Sequence, residues 1–332
     1  MQSPPAAAAA AFRFDGAAGV TAPPTTTPRP TLTTTPRQYA FQHAGLDRAE
    51  HLREDDDALR AHWPRARLLV LDDEGNAHFH GQEDLPEFPR GATLAPVPGG
   101  ASFLGLDDAA DAWFATSLAS VLSAGIADPP AQRLDLRSAA LRWPALPASV
   151  FAQARALLHW QQRNRFCGSC GEPLALVRGG FSARCARCAI EHYPRTDPAI
   201  IVAVSDGERV LLGRQASWPA GRWSVLAGFM EPGESLEQTV VREVMEEAGV
   251  RVRDCQYLGS QPWPFPSALM LGFRASADPQ PVAVGAELED ARWFSAPELR
   301  ELVASGEMKL SPRLSISRWL VDDWMATSRE RL

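Results

Sequence analysis

The chain has 332 residues, 45% of them apolar and 22% charged, an ordinary balance for a soluble protein with room for about two domains. A formal net charge of -7 argues against a protein that grips nucleic acid through a broad basic surface, although a local basic groove stays open. No run of about 18 apolar residues appears, so no membrane span is expected.

Residues 1–38 are rich in Ala, Pro and Thr and cannot bury enough apolar surface to offset their ordering entropy, so a disordered tail is expected. This stretch lacks the basic start and Leu-rich core of a secretory signal, and a cytoplasmic location follows. Residues 39–160 alternate strand-like and helix-like pieces and are expected to form an α/β domain. Arg67 to Leu71 reads as a short buried strand, Asp72 to Asn76 as a turn, and Ala109 to Ala124 and Val150 to Arg163 as helices. None of these residues carries recognisable chemistry.

Four of the five cysteines form two Cys-x-x-Cys pairs, Cys167/Cys170 and Cys185/Cys188, separated by fourteen residues. That spacing predicts a zinc ribbon over 164–194, in which four thiolates close a tetrahedral Zn²⁺ and leave no position for chemistry. A redox pair is the rival reading, and two pairs at this spacing argue against it. Arg184 and Arg187 lie nearby but are weak evidence for RNA contact. His192 is read as structural because four cysteines already satisfy zinc, and Cys255 as a small core residue.

From 195 to 332 strands and sharp turns take over. Strands fit Ala199 to Val204, Arg209 to Gly213, Trp223 to Ala227, Val252 to Leu258, Leu269 to Ala275 and Arg292 to Phe294. Helices fit Ser235 to Ala248, Ala296 to Ser305 and Leu314 to Thr327, which predicts a mixed sheet between helices. On the first helix Glu243, Glu246 and Glu247 fall within an arc of roughly 100°. Leu236, Val240, Val241 and Val244 occupy an adjacent arc able to pack on a sheet. Three carboxylates on one face repel one another unless a cation sits among them, and hard divalent ions such as Mg²⁺ or Mn²⁺ suit oxygen ligands.

Gly228 to Val250 fits Gly-x5-Glu-x7-Arg-Glu-U-x-Glu-Glu-x-Gly-U, with U aliphatic, at every defined position. The segment resembles the Nudix box of a family that hydrolyses nucleoside diphosphates linked to another group. The resemblance implies a Nudix fold and metal-dependent hydrolysis. Glu243 and Glu247 would bind Mg²⁺ or Mn²⁺, Glu246 would assist, and Arg242 would orient the glutamates. The carbonyl of Ala227 and the carboxylate of Glu287 would complete the metal site, with Glu289 a rival for Glu287.

Ten residues further on, Ser260-Gln261-Pro262-Trp263-Pro264-Phe265-Pro266 is a stiff, extended segment that presents aromatic rings. Rings so presented can stack on a base or a nicotinamide, and packing in a core loop is the plainer alternative. The string resembles the signature of NADH pyrophosphatases, also known as NAD-capped RNA hydrolases, with Ser267-Ala268 where the family ends in a serine one position later. The resemblance implies NADH or NAD as substrate, cut to nicotinamide mononucleotide and AMP, and NAD-capped RNA as a substrate sharing the half that enters the pocket. It implies contacts from Gln261, Pro262, Trp263, Pro264, Phe265, Pro266, Ser267, Ala268 and Ser317, and an adenine sandwich by Tyr193 and Phe229. A charged family contact falls on Gly180 here and is expected to be absent. A homodimer is also implied. The alternative class is a nucleotide- or RNA-binding regulator on an inactive Nudix scaffold, from which box glutamates would be expected to be missing.

Overall fold

The architecture follows from two strands buried on both faces. In a computed structural model, residues 39–42, 45–93, 101–125 and 130–329 are described, and the tail expected to be disordered lies outside them. The N-terminal sheet is built from β1 (Arg67–Leu71), β2 (Ala77–Gln82), β3 (Leu85–Glu87), β4 (Ser102–Leu106), β5 (Ala112–Ser117) and β6 (Gln132–Leu134). Its order is β3-β2-β1-β5-β4, with β6 on β2, and β1 runs parallel to β5. Helices α1 (Asp56–His62) and α2 (Leu118–Ser123) accompany one face, α3 (Leu136–Arg142) and α4 (Ala145–Arg163) the other. Along β1, Leu69 and Leu71 enter the α3/α4 core, while Leu68 and Val70 enter the α1/α2 core.

The helix expected over Ala109 to Ala124 is a strand followed by a short helix. Ala112 to Ala115 are all buried in β5, whose parallel neighbour covers it on one edge and whose two faces are both capped. A short apolar run of that kind lacks the period-2 alternation that distinguishes a strand from a buried helix.

The zinc-ribbon segment is a three-stranded sheet of β7 (Leu174–Val177), β8 (Ser182–Cys185) and β9 (Glu191–His192). The C-terminal sheet has the order β13-β14-β10-β11-β15 with β12 on β10. Its strands are β10 (Asp197–Ser205), β11 (Arg209–Arg214), β12 (Leu226–Phe229), β13 (Val252–Trp263), β14 (Ala268–Ala277) and β15 (Asp290–Ser295). β10 is parallel to β14 and antiparallel to β11 and β12, so the sheet is mixed as expected. Ile200, Val202 and Val204 of β10 pack towards α5 (Leu236–Ala248). Ile201 and Ala203 pack towards α6 (Ala296–Ser305) and α7 (Ile316–Arg329), so helices cover both faces. Val240 and Val244 of α5 are fully buried, but Val241 is 46% exposed and lies outside the buried stripe. Strand β12 begins at Leu226, so Trp223 to Val225 precede it rather than belonging to it. Among the described residues no helix is long and apolar enough to cross a membrane.

Candidate active site and metal centres

Ser235 starts α5 through a capping box with Gln238, and Gly249 ends it in a left-handed conformation. The start and end of the helix therefore fix where its acidic face lies. Arg242 sits at the centre of that face. Its Nε donates to Glu234 Oε1 at 2.6 Å and one Nη2 bond reaches Glu234 Oε2 at 2.9 Å. Nη1 donates to Glu243 at 2.8 Å and Glu246 at 3.0 Å, and Nη2 to the Phe229 carbonyl at 2.9 Å. A guanidinium has five N–H donors, and all five are used. Arg242 holds the Glu234 carboxyl down to about 2, and the Glu231 amide adds to the effect.

Glu243 and Glu247 turn inward, and Glu246 stays at the surface. Burial is the main force raising the Glu243 carboxyl, with Arg242 opposing it and the charges of Glu246 and Glu287 adding to it. Burial also pushes Glu247 up to about 8, reinforced by Glu243 and Glu287 against a single Ala227 amide donor. Glu247 Oε2 is buried with no hydrogen-bond partner. An ionised carboxylate in that position requires a cation beside it. The oxygen donor set of Glu243, Glu247 and Glu287 fits a hard divalent ion. Gly228 is needed on β12 because a Cβ there would come within 1.8 Å of the Glu243 carboxyl carbon. Between the two candidates near residue 288, Glu287 is the one whose charge reaches Glu243 and Glu247. Glu289 is bonded to Arg214 at 2.6 Å.

The four cysteines are drawn much closer together. Their Sγ atoms lie within 4.8 Å of one another, the only such group of potential ligands among the described residues. Sγ separations are 3.5 Å for Cys167–Cys188 and Cys170–Cys185, and 3.8 Å for Cys170–Cys188. A zinc ion with Zn–S bonds of about 2.3 Å demands sulfur–sulfur edges of about 3.8 Å, so the donors fit a closed structural zinc site. The Ser169 amide, and after it His192, hold the Cys167 thiol down to about 6. His192 lies outside the cluster of four sulfurs, with its Nε2 buried and unpartnered. Cys255 is partly buried against the α5-side core, as expected of a packing residue.

The signature residues divide between sheet, seam and surface. Gln261, Pro262 and Trp263 lie inside β13, which runs further than the sequence suggests. Gln261 is fully buried: its Nε2 donates to the carbonyls of Leu314 at 2.7 Å and Ala40 at 3.1 Å, and its Oε1 accepts from the Ile316 amide at 2.8 Å. Its side chain is therefore committed within the chain. Ser267 Oγ donates to Asp197 at 2.7 Å. Trp263 and Phe265 lie 5.0 Å apart and pack, half-buried, against the α3/α4 core. Arg137 and Arg155 stand 4.0 and 5.0 Å from the Phe265 ring centroid, and Arg155 also donates to the Pro264 carbonyl. Pro262, Trp263, Pro264, Ser267 and Ala268 line a cavity of about 320 Å³ that α4 closes from the other side. Pro266 is exposed. Ser317 is buried, with its hydroxyl 2.8 Å from that of Ser224.

Tyr193 and Phe229, expected to sandwich adenine, are 59% and 60% exposed, unusual for large aromatic rings. At Gly180 a Cβ would approach Ser102 Oγ to 2.3 Å, so the close packing of ribbon on β4 leaves no side chain for the charged contact the family carries. Arg137, Arg155 and Glu191 were not singled out from the sequence. Only Glu191 left a signal there: it sits two residues before Tyr193, so a strand points both to one side.

Residues 194–314 match the NUDIX domain family, and residues 162–193 the NADH pyrophosphatase zinc ribbon domain. Fold and site thus define a hydrolase of the Nudix class that carries a zinc ribbon. The NAD-capped RNA hydrolase NudC of Mycobacterium bovis is 37% identical over 300 residues, covering 86% of this chain and 94% of that protein. NudC of Stutzerimonas stutzeri is 45% identical over 168 residues, 50% of this chain and 58% of that protein. The chain belongs to the NudC family of Nudix hydrolases.

Proposed function

We propose that this enzyme hydrolyses the diphosphate of NADH and NAD to nicotinamide mononucleotide and AMP, and removes NAD caps from RNA 5′ ends. The observation that carries the reading is the buried, unpartnered Glu247 oxygen beside the charges of Glu243 and Glu287, an arrangement that suits a divalent cation. Relatives named NAD-capped RNA hydrolase supply the substrate class. Water adds to one phosphorus while the bridging oxygen leaves with the other phosphate. When bound, Mg²⁺ or Mn²⁺ offsets the phosphate charge that repels the incoming water and lowers that water's pKa. Glu243, Glu247, Glu287 and the Ala227 carbonyl would hold the ion, and Glu246 would assist at the rim. Arg242 fixes the rotamers of Glu243 and Glu246 and ties them to β12 through the Phe229 carbonyl. Tyr193 and Phe229 offer exposed faces to the adenine, and Pro262, Trp263, Pro264, Ser267 and Ala268 line the neighbouring cavity.

A homodimer, a cytoplasmic location and the division 39–160, 164–194 and 195–332 complete the proposal. The reaction is tested by incubating the purified chain with NADH and Mg²⁺ or Mn²⁺ and identifying products by mass. AMP and reduced nicotinamide mononucleotide are expected, and Glu247→Gln should lower the rate at least about a hundredfold. Nucleotide binding without cleavage in the unsubstituted chain would replace the enzyme with a regulator.

A further inference from the structure

Tyr193 follows β9 directly, and its ring stands in solvent. An exposed tyrosine ordinarily samples several rotamers, and a ligand that stacks on it has to select one. Here the hydroxyl is tethered. It donates to Glu191 Oε2 at 3.0 Å, while Glu191 Oε1 accepts from Ser182 Oγ at 2.6 Å. Ser182 is 1% exposed in β8, and Arg184, whose Nη2 lies 3.7 Å from Glu191 Oε2, pairs in register with Glu191 across β8 and β9. The Ser182 hydroxyl holds the Glu191 carboxyl below the usual range, with Tyr193 and the charges of Arg184 and Arg178 adding to it, so the acceptor stays ionised at neutral pH. A bond from a hydroxyl to an ionised acceptor is about twice as strong as a neutral one. The chain of contacts runs from the ribbon wall, through one carboxylate, to one aromatic ring.

We infer that Glu191 is a positioning residue of the substrate site: acting through the Tyr193 hydroxyl, it fixes that ring as a platform for a planar ring of the dinucleotide. The inference rests on the proposed reading of Tyr193 as a substrate contact. It also gives the ribbon a part in recognition, because the strand that anchors Ser182 ends at the zinc ligand Cys185.

The test is NADH hydrolysis by the full, zinc-loaded chain carrying Tyr193→Phe, Glu191→Ala, both together, Glu191→Gln and Tyr193→Ala. Losing one such hydrogen bond should raise KM about fivefold with kcat unchanged in each of the first two variants. The double variant should be no worse than either single one, because both remove the same link. Glu191→Gln, which keeps an acceptor, should recover part of the loss. A full additional KM increase from Glu191→Ala in the Tyr193→Phe background would overturn the inference, since Glu191 would then act by another route. Tyr193→Phe removes only an exposed oxygen and folds regardless of the fate of Glu191→Ala, so an unchanged KM for it also overturns the tether. If Tyr193→Ala leaves KM unchanged, the ring is no substrate contact and the inference falls with that reading, while cleavage of NADH by the parent chain stands.

Discussion

At the scale of single residues, Arg242 is the hub of the site. Its five donors reach three box glutamates, Glu234, Glu243 and Glu246, and a strand carbonyl, so one planar group sets the geometry of helix and strand at once. Lysine carries the same charge but has three donors on a compact head and cannot reproduce the fork. Arg242→Lys is therefore expected to cut kcat at least about tenfold and to lower the thermal midpoint by a few degrees, measured by steady-state kinetics and calorimetry. A variant with unchanged kcat would mean that charge alone suffices. These residues were legible in the sequence because box spacing and helix period put them on one face. The commitment of Gln261 was not legible, because its partners Ala40 and Leu314 lie 221 and 53 residues away.

The elements show the same contrast. Helix α5 was readable end to end, since its cap residues and its apolar positions other than Val241 agree. Strand β5 was not, because a strand buried on both faces loses its alternation, and β13 extends through Pro262 into what the sequence alone treats as a separate stiff segment. The position of the signature in β13 and the loop after it separates two of its polar residues by effect. Ser267→Ala removes one partly buried bond to Asp197, so it should cost about 1 kcal/mol of stability and leave turnover nearly unchanged. Gln261→Ala strands the Ile316 amide and two carbonyls inside the protein, so a loss of about 2–4 kcal/mol is expected. Urea denaturation of the two variants checks the order, and a larger loss for Ser267→Ala would reverse the assignment.

Across the whole molecule, three sheets meet around the substrate contacts proposed for the enzyme. The ribbon carries Tyr193, the C-terminal sheet carries Phe229 and the box, and the N-terminal half closes on Trp263 and Phe265. Zinc removal should therefore act at a distance from the glutamates. Stripping the zinc with a strong chelator and restoring Mg²⁺ is expected to raise KM for NADH several-fold and to melt the ribbon before the C-terminal sheet. Hydrogen exchange resolved by segment would show this, and uniform protection in the stripped protein would count against a ribbon folded by its metal. From the sequence, the N-terminal half had no discernible task. Its arginines gain one only when the fold brings α3 and α4 against the signature.

That seam has a consequence for descent. Phe265 and Pro264 are held by Arg137 and Arg155, which are encoded more than a hundred residues earlier. Drift on one side has to be answered on the other, so the two halves should be inherited together. A recombinant gene that joins this C-terminal half to a foreign partner would begin with a bare phenylalanine and a carbonyl short of its donor.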